Sequence, residues 1–276
     1  MTAIDLSVPV AHEGFSWLRV RTMVRRLAYV VLRTPDRWFL LLVFPFIDVI
    51  LFGSIGRFVS QQGGASHSSA PFLLAGIMLN HFLFQSQIGI ATGFMEETWS
   101  RNVLNMMTTP LREVEYLVGV ALFSLAKMAV AMVTVSVAAF AFYRFGLAEL
   151  GWGVLLVALT LVLSGWALGL CMVGLLLRYG QPAEIFTWAS SFLVLALSGV
   201  FNPIHALPGP FQPLSRALPT TYAFDAGRAL LDGQAMPWGD LAKAGFGGLA
   251  ALVLSAWFLT RMLAKFRARG FVTRYS

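Results

Sequence analysis

FLLAGIMLNHFLFQSQIGIATGF (72–94) and LVGVALFSLAKMAVAMVTVSVAAFA (117–141) are apolar runs separated by MEETWSRNVLNMMTTPLREVEY (95–116), which is polar. Each apolar run supplies the roughly 20 residues that an α-helix needs to cross about 30 Å of hydrocarbon. The strands of a membrane barrel would instead alternate polar and apolar residues over about 10 positions. Working outward, comparable apolar windows recur at residues 38–59, 153–177, 185–201 and 241–263, with 185–201 the shortest. Six crossing helices are therefore expected, and the fold class is all-α, a polytopic membrane protein. A composition of 58% hydrophobic and 12% charged residues excludes a soluble domain of 276 residues, and the mean hydropathy of +0.73 agrees.

The basic residues orient this bundle. Arg19, Arg21, Arg25, Arg26, Arg33 and Arg37 precede the first window; Lys265, Arg267, Arg269 and Arg274 follow the last. An excess of Lys and Arg marks the cytoplasmic side, so both ends are expected there, as are Arg101, Arg112 and Arg178. Residues 60–71 carry no Lys or Arg and belong outside. The chain then divides into a cytoplasmic N-terminus (1–37), a six-helix transmembrane domain (38–264) and a basic cytoplasmic tail (265–276). The polar insert, 96–112, faces the cytoplasm. The net charge of +7 is accounted for by topology and by attraction to anionic lipid headgroups, and nucleic acid is not an expected partner.

Within the N-terminus, residues 17–32 have helical periodicity, with Val20, Val24, Leu27 and Val31 on one face and Arg19, Arg26 and Arg33 roughly opposite. Such a helix is too charged to span and is expected to lie in the membrane interface until Thr34-Pro35-Asp36 breaks it. It reads equally as an anchor or as a contact for a cytoplasmic partner. No apolar core with a cleavage site precedes Arg19, so a cleaved signal peptide is not expected. The single cysteine, Cys171, reads as packing.

Several polar residues fall inside the apolar windows, where they are costly. Counted from the window starts, Asp48 and Lys127 lie at similar depth, which makes each a candidate counter-charge for the other. Asn80, His81, Gln85 and Gln87 make the middle of the second window polar, with His81 and Gln85 on one helical face. Asp48, Asn80, His81 and Lys127 either line a translocation path or fix packing by hydrogen bonds between helices. No histidines have metal-ligand spacing, and no metal is expected. Gly165 and Gly169 form a GxxxG pattern, a sign of close helix contact either within or between subunits. Residues 202–213 then hold four prolines and lead into a mildly amphipathic run to Leu231. Residues 202–232 read as short helices dipping into the outer leaflet, as a gate or as a cap.

The sequence contains no G-x-x-x-x-G-K-[ST] phosphate loop, no H-E-x-x-H and no G-x-S-x-G. The chain is not expected to be an enzyme by itself or to hold a cofactor, so active transport would draw energy from a partner or an ion gradient. If residues 96–112 are helical, Trp99, Val103 and Met106 form an apolar ridge, and Glu96 and Glu97 suit the positive end of the helix dipole. A ridge of this kind serves helix-in-groove docking, or simply lies on the surface as a connector.

Met95-Glu96-Glu97, Thr109-Pro110-Leu111 and Glu115-Tyr116-Leu117-Val118-Gly119 together resemble the cytoplasmic coupling-helix region of type-two ABC exporter permeases, the family of daunorubicin-resistance and polysaccharide-export permeases. A second run, residues 197–203 followed by Leu207-Pro208 and residues 217–228, is similar to that family's segment between its last two spans. The resemblance implies a homodimer of six-span subunits, or occasionally a heterodimer, bound to two separate ATP-binding subunits, which carry the ATP and Mg. It assigns Glu96, Glu97, Trp99, Val103, Met106 and Pro110 to the coupling region, and Leu218, Pro219, Tyr222, Asp225 and Arg228 to an external re-entrant gate. It also implies export of an amphipathic drug, lipid or lipid-linked glycan across the cell (inner) membrane. Many members carry Glu-Arg-Glu followed by Gly-Thr where this chain has Glu-Glu-Thr-Trp-Ser-Arg. The alternative function is a self-sufficient ion-coupled carrier using Asp48, His81 and Lys127 as a relay.

Overall fold

The computed structural model describes residues 14–62, 70–99, 111–201 and 203–268, and every regular element among them is helical. Nine principal helices are labelled here in chain order: α1 (Trp17–Arg33), α2 (Phe44–Gln61), α3 (Ala70–Trp99), α4 (Glu113–Tyr143), α5 (Gly153–Tyr179), α6 (Glu184–Leu197), α7 (Gln212–Ala217), α8 (Pro219–Leu231) and α9 (Trp238–Ala268). Five stretches are long and apolar enough to cross a membrane: Leu41–Gln61, Ala70–Met95, Val114–Tyr143, Gly153–Tyr179 and Trp238–Lys265.

The first helix buries Val20, Met23, Leu27 and Val31, spaced three to four residues apart, so one stripe faces the protein while Arg21, Arg25 and Arg33 stay exposed. Val24, expected on that stripe, is only partly buried; Met23 takes the central position. The helix ends at Thr34, whose backbone is extended (φ −118°, ψ 96°) and whose hydroxyl donates to Val30 O at 2.7 Å. Pro35 favours that extended geometry in its predecessor. A single helical turn, Pro35–Trp38, and a wider π-type turn, Phe39–Val43, then lead into α2.

The centre of the bundle is α3. Its most apolar window is 83% buried, against 22% in the first span and 17% in α9, which present most of their surface outward. The first, third and fourth spans pack around it, and α5 approaches most closely. A Cβ added at Gly165 would lie 2.5 Å from Leu83 O, and one at Gly169 would lie 2.9 Å from Gln87 O. The GxxxG contact is therefore made within the subunit, α5 against α3. Gly165→Val should cost about 2 kcal/mol or more, since the nearest neighbour is backbone that cannot move aside. The loss would be read as a lower melting temperature of the purified protein, and an unchanged value would refute this contact.

The apolar window at 185–201 is realised differently from the other five. It forms α6, a helix of only 14 residues, about 21 Å long by helical rise and short of the roughly 30 Å apolar layer. The chain turns at Gly199, whose φ of +69° lies in the left-handed region. Buried hydroxyls secure the turn: Ser215 Oγ donates to Leu197 O at 2.6 Å, and Ser198 Oγ lies 2.6 Å from Thr220 Oγ1. Hydropathy registers the apolar residues on both sides of the turn but not the turn.

Beyond it come two short turns, Ile204–Ala206 and Gly209–Phe211, and then α7 and α8. Leu218 is extended (φ −84°, ψ 126°) and Pro219 starts α8, a position where its missing N–H costs nothing. The buried face of α8 carries Thr220, Thr221, Ala223, Phe224, Ala226 and Gly227. Phe224 belongs to the main apolar cluster with Leu74, Met78 and Leu161, so α8 is built into one end of the bundle. A second cluster at the other end joins Met23 and Leu27 of α1 to Val120 of α4, Val173 of α5 and Leu259 of α9.

Candidate functional site

At the α1 end of the bundle, the expected coupling region divides in two. Glu96, Glu97 and Trp99 lie in the last turn of α3, while Val103, Met106 and Pro110 lie outside the described residues. The chain resumes at Leu111, and its entry into α4 is held by Glu115, whose side chain is fully buried. The carboxylate accepts four hydrogen bonds. Arg19 donates from Nε (2.7 Å) and Nη2 (2.6 Å), Ser16 N donates at 2.7 Å and Arg112 N at 3.0 Å. The carboxylate raises the pKa of the Arg19 guanidinium above its ordinary value, chiefly through this hydrogen bonding. Two parallel N–H···O bonds to one carboxylate fix both distance and plane.

One side chain thus ties the start of α1 to Arg112, the last residue of the polar insert. α1 and α4 also approach closely at Gly119, where a Cβ would lie 3.0 Å from Met23 Cγ. Sequence reading placed Glu115 in a motif without giving it a role. Part of its function was visible: a Glu three residues after a helix N-cap reaches back to the cap N–H, as Glu115 does to Arg112. The partner 96 positions away was not.

The middle of the bundle holds the candidate path residues. His81 is 1% exposed, and its Nε2 lies 3.4 Å from Asp48 Oδ2. Among the described residues, neither ring nitrogen of His81 finds a hydrogen-bond partner, and Gln85 Nε2 is likewise buried without one. Gln87 instead bridges to α6, donating to Thr187 O at 3.0 Å and Ser190 Oγ at 2.8 Å. Asn80, adjacent to His81, is partly buried. Phe84 stands between Phe44 of α2 (ring centroids 5.9 Å apart) and Trp188 of α6 (6.2 Å). Asp48 of α2 therefore lies beside His81 of α3, next to Asn80 in the chain, and hydrogen bonding between helices accounts for Gln87.

Lys127 is placed elsewhere. Its Nζ lies 3.4 Å from Thr92 Oγ1 and 5.3 Å from the Phe123 ring. Thr92 is displaced from His81 by about 16 Å along α3, so Asp48 faces His81 rather than the expected lysine. The expectation of equal depth came from counting along predicted windows. The observed spans begin at Leu41 and Val114, which puts Asp48 seven residues in and Lys127 thirteen.

The opposite end holds the expected gate residues. Arg228 donates to Gly199 O and to Asp225 Oδ1, linking α8 to the turn after α6. Tyr222 OH donates to Arg216 O at 2.9 Å, and Lys243 Nζ sits 5.0 Å from the Tyr222 ring centroid. Leu218 and Pro219, both partly buried, form the corner between α7 and α8. A small cleft beside Arg228 is lined by Gly76, Leu79, Val200 and Phe224. Among the described residues, no group of His, Cys, Asp and Glu is arranged to hold a metal ion.

No curated protein matches the chain. The family model of the ABC-2 type transporter matches residues 19–231, from α1 through α8. That match takes in the Arg19–Glu115 contact, the polar centre of α3 and the Arg228 turn, and it covers well over half of the sequence. The chain belongs to the ABC-2 type transporter family, the membrane permeases of type-two ABC transporters.

Proposed function

We propose that this chain is the permease subunit of an ATP-driven ABC exporter that moves an amphipathic drug, lipid or lipid-linked glycan outward. The observation that carries the reading is the family match running through both sides of the α3–α4 junction, in a chain with no phosphate loop of its own. Two ATP-binding subunits, holding the ATP and Mg, would engage a homodimer of permeases in the cell (inner) membrane. Their closure pushes on residues 96–112 through Glu96, Glu97, Trp99, Val103, Met106 and Pro110. The push enters α4 at Arg112 and α1 through Glu115. In this reading α6 and the turn at Gly199 make a fifth crossing, which gives six passes with both ends cytoplasmic. The α7–α8 corner, with Leu218, Pro219, Tyr222, Asp225 and Arg228, then gates the external side.

The test is the double charge reversal Glu96→Lys with Glu97→Lys. It should abolish co-purification of the ATP-binding subunit and reduce export about tenfold or more, with the elution profile of the permease unchanged. Wild-type association and export in that variant would remove the coupling assignment. The proximity of Asp48 and His81 favours one competing reading, an ion-coupled carrier. Gradient-driven uptake by this chain alone in proteoliposomes would establish that reading over ours.

A further inference from the structure

Among the described residues of the five long apolar spans, Asp48 is the carboxylate farthest from a helix end. A carboxylate at such depth is retained only with a counter-charge or hydrogen-bond donors. His81 is the group beside it, at 3.4 Å, yet neither imidazole nitrogen makes a hydrogen bond. The carboxylate is 16% exposed rather than sealed in. Aromatic rings lie one turn from the pair on both helices. Phe44 is one turn before Asp48 on α2, Phe84 is one turn after His81 on α3, and Trp188 of α6 closes against Phe84. A partly exposed carboxylate beside an imidazole that makes no hydrogen bond, one helical turn from aromatic rings within an apolar layer, matches a positive charge carried on an apolar body.

We infer that Asp48, His81 and the Phe44–Phe84–Trp188 rings form a recognition site for a lipophilic organic monocation. The carboxylate neutralises its charge, and the rings take its apolar flanks. The site rests on the permease reading only in making that cation a cargo; binding itself needs no ATP-binding subunit. It narrows the cargo to cationic amphiphiles, and it makes Asp48 the residue that sets the preferred sign of charge.

The experiment is equilibrium binding of tetraphenylphosphonium to the purified full-length chain in lipid nanodiscs. Neutral triphenylphosphine oxide and anionic tetraphenylborate serve as matched probes. Saturable binding of the cation is expected, weakened about tenfold or more in Asp48→Asn, while the neutral and anionic probes are indifferent to that substitution. Phe84→Leu, which keeps the carboxylate, should weaken the cation about threefold and keeps the assay decisive if Asp48→Asn fails to fold. Absence of saturable cation binding, equal binding to wild type and both variants, or the same Asp48 dependence for the neutral probe would overturn the site. Cation binding that survives while no ATP-binding subunit associates would leave the site standing and remove the permease reading instead.

Discussion

Glu115→Ala should be among the most damaging single substitutions in this protein, with loss of most of the folded, monodisperse material and of transport. The carboxylate gathers four donors from three places in the chain: Ser16 N, Arg19 Nε and Nη2, and Arg112 N. Removing it leaves a guanidinium that is only 17% exposed facing a cavity, and it strips the cap from the first turn of α4. Breaking one side of a buried pair costs more than the pair contributes, because the surviving charge stays desolvated. Glu115→Gln separates the parts of this effect. The amide oxygen still accepts a backbone N–H, so the α4 cap survives, but the charge-assisted fork to Arg19 does not. Its thermal stability should fall less than that of Glu115→Ala. If the contact also positions α1, transport should still drop in the glutamine variant. Wild-type stability and transport in both variants would show that Glu115 holds nothing together.

How this contact escaped sequence reading shows what such reading can recover. Hydropathy located α2, α3, α4, α5 and α9 because a span of about 20 apolar residues has few alternatives to a helix in lipid. The stripe Val20, Leu27, Val31 was legible for the same reason, since periodicity alone sets a face. What failed needed the third dimension. Glu115 meets Arg19 only because α1 folds back along α4. Asp48 meets His81 only because the packing of α2 on α3 sets a depth that residue counting misjudged. Gly165 and Gly169 announced a close contact, but the partner, backbone of α3, had to be seen. The 185–201 window overstated the length of α6, because one glycine torsion and three hydroxyls end the helix, and none of these changes hydropathy.

The turn at Gly199 yields the second large effect. Gly199 has φ of +69°, a region that costs a β-branched residue about 1–3 kcal/mol and that Asn tolerates better. Its carbonyl also accepts from Arg228, whose guanidinium holds Asp225 as well, so a shift of this peptide disturbs the anchor of α8. The hydroxyl contacts of Ser198 with Thr220, and of Ser215 with Leu197 O, depend on the same backbone path. Gly199→Val therefore adds torsional strain to the loss of buried hydrogen bonds. Stability should fall in the order Gly, Asn, Ala, Val when read as melting temperature. Arg228→Leu should add little to the damage in the valine variant, because both changes release the same connection; in a wild-type background it should be costly alone. A double-mutant cycle measures that coupling. Strict additivity would mean that the turn and the arginine act separately. Equal stability of the asparagine and valine variants would mean that the left-handed torsion is not what ends α6.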